Sequence, residues 1–289
     1  MSKVKTFFEL VKFEHTVFAL PFAYLGMVMG ARLPAGQAGG WPGTRVFFLV
    51  TLAMASARTA GMTLNRLIDR GIDAQNPRTR NRPLVTGSFK ARWAWISVGV
   101  STAIFLVSAS ALNPLCLKLS PIALVFLSGY HYAKRFTAYC HWVLGSVLAM
   151  APIGGWIASS GAFSAQSLLL GLAVLFWVAG FDILYSLQDV DFDRSAGLHS
   201  MPVRTGVTQS LRIASACHAA TIFFLVLFGF FAELGIVYAT GVVVTALLLR
   251  VEHSLVSEGD LSRLDTAFFT INGWIGILLF IFTALDVYR

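Results

Sequence analysis

The sequence predicts an all-α integral membrane protein, nine transmembrane helices bundled around a central cavity, with residues 1–289 forming a single domain. Three observations carry that expectation. The chain is 56% hydrophobic and only 12% charged, with a mean hydropathy of +0.72. A water-soluble surface cannot be built from so few charges, and a bilayer is the solvent that suits them. Apolar stretches of bilayer-crossing length recur near 16–31, 46–65, 93–112, 115–133, 138–158, 167–188, 213–232, 234–250 and 266–285. The loops between them alternate in basicity, as membrane topology demands.

Taken in chain order, residues 3–14 (KVKTFFELVKFE) alternate charge with Phe, Leu and Val and read as a short interfacial helix. The apolar stretch that follows has no small-residue cleavage site and reads as a retained anchor. Residues 136–181 contain no Asp, Glu, Lys or Arg and are too long for one crossing. They must cross twice, and Ser159-Ser160-Gly161-Ala162-Phe163-Ser164 is the expected turn. Cys116, Cys140 and Cys217 are isolated, without Cys-x-x-Cys spacing, and read as packed thiols.

The net charge of +8 is mostly topology and gives no reason to expect a nucleic-acid partner. One set of loops carries seventeen basic residues: Lys3, Lys5, Lys12, Arg66, Arg70, Arg78, Arg80, Arg82, Lys90, Arg92, Lys134, Arg135, Arg194, Arg204, Arg212, Arg250 and Arg263. The other set carries four, Arg32, Arg45, Lys118 and Arg289. The bias predicts an inner-membrane protein with its N-terminus and long loops in the cytoplasm and its C-terminus outside.

Six of the fourteen acidic residues fall in two short stretches at the ends of apolar segments. The first contains Asn65, Asp69 and Asp73; the second contains Asp182, Asp189, Asp191 and Asp193. Carboxylates four residues apart share one helix face, where they repel unless a cation lies between them. The two stretches also echo each other: Asn65, Asp69 and Asp73 superpose on Tyr185, Asp189 and Asp193 at an offset of 120. A Pro-containing turn follows each, Arg82-Pro83-Leu84-Val85-Thr86-Gly87 and Met201-Pro202-Val203-Arg204-Thr205-Gly206. The repeat predicts two related helical units facing each other across a cavity.

Asn65, Asp69, Asp73, Asp189 and Asp193 form an oxygen-only ligand set, which suits Mg2+ shared with the oxygens of a phosphate substrate. Two such helix ends can clamp a diphosphate from both flanks. Arg66, Arg70, Arg78, Arg80, Arg82, Lys134, Arg135 and Arg204 are the candidates to hold its oxygens and to stabilise the departing charge. Arg58 and Asp182 each lie seven residues before a motif residue, so both sit roughly 10 Å deeper in the bundle. Charges at that depth face a cavity. Either they form an ion pair, or they bound a pocket for an aromatic acid, with Arg58 at its carboxylate, Asp182 near its hydroxyl or departing proton, and Tyr185 lining it. His15, His131 and His141, near span ends, read as structural.

These motifs, with Asn76-Pro77-Arg78-Thr79-Arg80-Asn81-Arg82-Pro83-Leu84, Lys134-Arg135-Phe136-Thr137 and Glu14-His15-Thr16, resemble the UbiA superfamily of intramembrane prenyltransferases over nearly the whole chain. Within it the resemblance is greatest to the 4-hydroxybenzoate polyprenyltransferases. One departure is Arg66, where the family often has Asp. The resemblance implies Mg2+-dependent transfer from a polyprenyl diphosphate to the ring carbon ortho to the hydroxyl of 4-hydroxybenzoate. Asp69, Asp73, Asp189, Asp193 and Arg135 would be catalytic. A naphthoate or futalosine-route acceptor would leave the diphosphate site unchanged. A secondary transporter is the competing class, but it leaves the boundary position and four-residue spacing of the carboxylates unexplained.

Overall fold

The computed structural model describes Thr6, Leu10 and residues 16–32, 40–257 and 259–289. Among these residues the protein is helical, without a β-sheet. The long helices are α1 (Thr16–Arg32), α2 (Thr44–Ile68), α3 (Ala91–Leu112), α4 (Pro114–Gly129), α5 (Cys140–Ser160), α6 (Ala165–Ser186), α7 (Val207–Phe231), α8 (Ile236–Ser254) and α9 (Asn272–Tyr288). Each lies on one of the expected crossings. Seven crossings are long and apolar enough to span a bilayer, α9 when taken with the π-helical turn Thr266–Ile271 that leads into it; α1 and α4, of 17 and 16 residues, are shorter than that length. The chain tightens into a 3-10 turn over Tyr130–Arg135, which ends α4 earlier than its sequence suggested. The proposed interfacial helix at 3–14, Lys3, Lys5, Lys12 and Glu14-His15 lie outside the described residues, apart from Thr6 and Leu10.

Consecutive helices pack side by side, and α9 returns to α1 to close the ring. α1 also packs along α5, and α6 is the most enclosed crossing. Large apolar side chains such as Phe48, Val107, Val125, Phe230 and Leu247 face outward. Lipid tails are as apolar as these side chains, so helix association must come from close packing and internal hydrogen bonds.

Glycine supplies the closest approach. A Cβ added to Gly26, Gly30 or Gly155 would lie 2.0, 2.4 or 2.1 Å from the backbone carbonyl oxygens of Pro152, Trp156 and Ala23. α1 and α5 therefore touch backbone to backbone. Buried polar links do the rest. The Trp177 indole N–H donates to Asn272 Oδ1 at 2.7 Å, and the Asn272 amide donates to Glu252 at 2.8 Å, tying α6, α8 and α9 together. At the other end of α8 the Asp286 carboxylate accepts the backbone N–H groups of Gly235, Val237 and Tyr238, a cap supplied from α9.

The expected turn forms as read. Gly161 ends α5 in the left-handed conformation, and Ser164 opens α6 with a reciprocal capping box to Ser167. The internal echo also has a structural counterpart. α2 runs through a short helix (Arg70–Gln75) and a Pro-initiated turn of helix (Pro83–Thr86) into α3. α6 runs through Val190–Ser195 and Met201–Thr205 into α7. The two Pro turns end at Gly87 (φ 78°) and Gly206 (φ 80°), where a side chain would be strained.

Gly155→Val should therefore drive α1 from α5 and cost at least the ~1–3 kcal/mol of ordinary overpacking. The thermal midpoint in detergent should fall sharply, and an unchanged midpoint would contradict the α1–α5 contact.

Candidate active site

Both acidic motifs sit where a long helix breaks and restarts. Asp69 ends α2 with φ −90° and ψ 4°, and the Asp73 N–H still bonds to the Asp69 carbonyl at 2.7 Å. Asn65, Asp69 and Asp73 thus keep one face across the break. In the second motif a 3-10 turn, Leu187–Asp189, precedes Val190–Ser195, and Asp189 has φ −106° and ψ 4°.

The breaks place both motifs around one cavity of about 180 Å³ at a single end of the bundle. Asn65, Asp69, Asp73, Arg78, Arg82, Lys134, Asp182 and Asp189 line it, brought together from α2, the loop after it, the 3-10 turn after α4, and α6.

In and directly behind the cavity wall, acids and bases alternate. Arg135 donates to Asp69 Oδ1 at 3.0 Å and to the Ile68 carbonyl at 3.0 Å. One Arg82 nitrogen donates to both Asp73 oxygens, at 2.6 and 2.7 Å. Arg78 grips Asp189 with two nitrogens, and Asn76 Nδ2 donates to the same carboxylate at 3.1 Å. Lys134 Nζ lies 3.8 Å from Asp193. Breaking a buried pair costs about 3–5 kcal/mol, and partial exposure of the basic partners places these pairs at the lower end or below it.

The same contacts set the ionisation. Burial, with the neighbouring Asp73 charge, raises the Asp69 carboxyl above its ordinary range against the pull of Arg135 and Lys134. Burial disfavours the Arg78 charge, yet the grip on Asp189 outweighs it and raises that group. Burial also raises the Tyr130 phenol, so it stays neutral. Burial and the Arg66 charge push His131 down to about 4, leaving Nδ1 free to accept from the Asn65 amide at 3.2 Å.

Other candidates are placed differently from the sequence expectation. Among the described residues Arg66, Arg70, Arg135, Arg204 and Asp193 do not line the cavity; Arg135 and Asp193 stand behind it, facing Asp69 and Lys134. Arg66 is buried against Asn65, Arg70 is exposed, and Arg204 lies over the Tyr139 ring at 5.4 Å. Arg80 is exposed as well.

No ion pair joins Arg58 and Asp182, which removes the ion-pair alternative; of the two, Asp182 lines the cavity and Arg58 does not. Asp182 is bound by His141 Nδ1 at 2.7 Å, whereas among the described residues the Arg58 Nε has no partner and its charge acts on Tyr130. Equal offsets gave equal depth but left the direction around each helix open. Tyr185 stacks on Phe268, with centroids 4.0 Å apart, and its hydroxyl accepts from Arg78 at 3.4 Å. It props a basic residue and does not line the cavity.

Sequence reasoning missed Asn76, Thr79 and Tyr130 and set His131 and His141 aside as structural. Asn76 had a signal, since it lies three residues beyond Asp73 on the same helical face. Tyr130 had a weaker one, one helical turn before Lys134 at a span end.

The sequence profile of the UbiA prenyltransferase family matches residues 19–275. A Nitrosomonas europaea protein named 4-hydroxybenzoate octaprenyltransferase is 32% identical over 250 residues, 86% of this chain and 85% of that protein. The apo structure of a UbiA homolog from Aeropyrum pernix K1 is similar with a TM-score of 0.84 and 36% identity, covering 94% of this chain and 98% of that one. A UbiA homolog from Archaeoglobus fulgidus bound to DMAPP and Mg2+ shares the fold, with a TM-score of 0.75 at 20% identity over 98% of this chain and 99% of that one.

A buried histidine held neutral makes the native state pH-sensitive in one direction. His131 titrates near 6.5 when unfolded and near 4 when folded, so the unfolded state binds the proton first as pH falls. The stability held above pH 6.5 is lost progressively toward pH 4. His131→Gln should flatten that part of the decline when thermal midpoints are compared across the interval.

Proposed function

The chain belongs to the UbiA prenyltransferase family, and from that premise we propose that it transfers a polyprenyl group from a polyprenyl diphosphate to the ring carbon ortho to the hydroxyl of 4-hydroxybenzoate. It is an integral membrane enzyme. One observation carries the reading: two acidic helix breaks meet across a single cavity whose carboxylates are each faced by a basic side chain. A transporter has no use for so dense a site at one end of its bundle.

The donor set fits magnesium. It is oxygen-only, and among the described residues no group of three or more His, Cys, Asp or Glu is gathered tightly enough to cage an ion alone. Magnesium keeps waters and completes its shell with substrate phosphate oxygens, as such a site requires. Asn65, Asp69, Asp73, Asp189 and Asp193 would hold it, and it would neutralise diphosphate charge. Arg78, Arg82, Lys134 and Arg135 are then released from their carboxylates to grip the diphosphate oxygens and stabilise the leaving group. The allylic C–O bond breaks with its electron pair on diphosphate, and the ring π electrons of the acceptor form the new C–C bond.

The allylic cation needs a dry site, and the 76–82 loop, which stays bonded to Asp189 through Asn76, helps to supply one. The prenyl tail needs apolar volume. A second cavity of about 320 Å³, lined by Tyr24, Met27, Val28, Trp41, Phe47, Phe280 and Tyr288, lies at the other end of α1, α2 and α9 and suits it. The positive-inside bias orients the site toward the cytoplasm.

Asp69→Ala and Asp189→Ala should each lower turnover by at least about a hundredfold, since both electrostatic partners of the leaving group are disturbed. Membranes assayed with labelled polyprenyl diphosphate and a set of aromatic acids, with and without chelator, test this. Full activity in chelator or in either variant overturns the reading, and preference for a naphthoate would change the acceptor alone.

Single cysteines placed in the loops 66–92 and 189–212 should react with membrane-impermeant reagent only after the cytoplasmic face is opened. Labelling of either loop from the outer face would reverse the orientation.

A further inference from the structure

Beneath the diphosphate site the cavity wall holds a carboxylate with an unusual support. Asp182 lines the cavity, its side chain 26% exposed, and one oxygen, Oδ2, is bound at 2.7 Å to Nδ1 of His141. Among the described residues Oδ1 has no protein partner. The His141 ring is 2% exposed, and its Nε2 accepts the Met201 backbone N–H at 3.2 Å. Because Nε2 is an acceptor, the ring proton is on Nδ1 and is donated to Asp182. The imidazole is thus fixed from both sides, and it fixes the carboxylate.

The support reaches across the site. Met201 opens the Pro turn that follows the second acidic motif, and the chain before it is docked on the 134–141 segment. The His199 N–H donates to the Lys134 carbonyl at 2.7 Å, and Cys140 Sγ lies 3.6 Å from the His199 carbonyl oxygen. Lys134 in turn faces Asp193. One short stretch therefore holds Asp182 in register with the residues assigned above to diphosphate.

We infer that His141 is a positioning residue for the aromatic half of the reaction, aiming the Asp182 carboxylate at the ring carbon that gains the prenyl group. This rests on the proposed prenyl transfer to an aromatic acid and adds the fate of the ring proton. Once the new C–C bond has formed, that carbon still carries its hydrogen. The C–H electron pair returns to the ring, and the proton moves to the Asp182 carboxylate, forming O–H. It leaves to water as product departs, so no further reactant is needed.

The test compares purified full-length wild type with His141→Phe, His141→Gln, Asp182→Asn and the Phe/Asn double variant. Each is assayed with labelled polyprenyl diphosphate and the aromatic acid, unlabelled or ring-deuterated at the transfer position. His141→Phe and Asp182→Asn should each lower kcat by roughly 10- to 100-fold, as for loss of general-base assistance, with KM for the polyprenyl diphosphate unchanged. The double variant should be no slower than Asp182→Asn, because His141 acts only through that carboxylate. Both single variants should show a primary isotope effect larger than that of wild type, since proton loss has become limiting. His141→Gln, whose amide can donate to Asp182 and accept from Met201, should recover most of the rate. Multiplied losses in the double variant, an unchanged isotope effect in both singles, or wild-type turnover in His141→Phe would each overturn the inference. If His141→Phe does not fold, Asp182→Asn and His141→Gln decide it by isotope effect and rate. Wild type that transfers to no aromatic acid, yet releases diphosphate, would sink the acceptor reading itself.

Discussion

The site depends on one electrostatic constraint: carboxylates withdrawn from water at the edge of an apolar bundle must each face a cation. Asp69, Asp73, Asp189 and Asp193 meet Arg135, Arg82, Arg78 and Lys134 respectively. Burial without these partners would drive the acids toward their neutral forms. The partners do not come from the helices that carry the acids. Arg78 and Arg82 lie on the loop after α2, and Lys134 and Arg135 on the turn after α4. Charge balance therefore folds these segments over the cavity, and the same bonds that stabilise the empty site hold its basic groups ready for an anion.

That arrangement explains why α2 and α6 break where they do. A straight helix would carry Asp73 out of the cavity and Asp193 away from Lys134 at its wall. The turns at Asp69 and Asp189 bend the chain while keeping the four-residue spacing, so the carboxylates on either side of each break stay close. From Asp189 the support continues inward. Tyr185 stacks on Phe268, Phe268 meets Phe181 edge-on at 5.3 Å, and Phe181 meets Trp177 at 5.0 Å. Trp177 is locked by Asn272 at the end of a π-helical turn, Thr266–Ile271. Arg78 thus rests on a column of rings reaching the tightest part of the core.

The helices, the paired loops and the acidic faces were legible in the sequence because each obeys a short-range rule. Bilayer length sets the crossings, a period of 3.6 sets the faces, and Pro with Gly sets the turns. Apart from Arg82 on Asp73, nine residues away, the partners were not legible because they are long-range. Asn76 and Arg78 reach Asp189 across 113 and 111 residues, and nothing local in NPRTR says which carboxylate it will meet. Seven-residue offsets fixed the depth of Arg58 and Asp182 but not the way each helix turns. A histidine in the first turn of α5 captured Asp182, and an isolated sequence gives no measure of that rotation.

Tyr130 shows what the rotation achieves. Its neutral phenol is acted on by Arg58, Arg66, Asp69 and Asp182, two cations and two anions drawn from both depths of the cavity. A charged residue there would bind one pair and repel the other. A neutral hydroxyl can both donate and accept, so it suits a place between cations and anions without favouring either. Arg58 does not line the cavity, but it lies close enough for its charge to act on the Tyr130 phenol. A neutral group among those four charges lets Arg58 and Asp182 remain unpaired with each other, Asp182 being held by His141 instead.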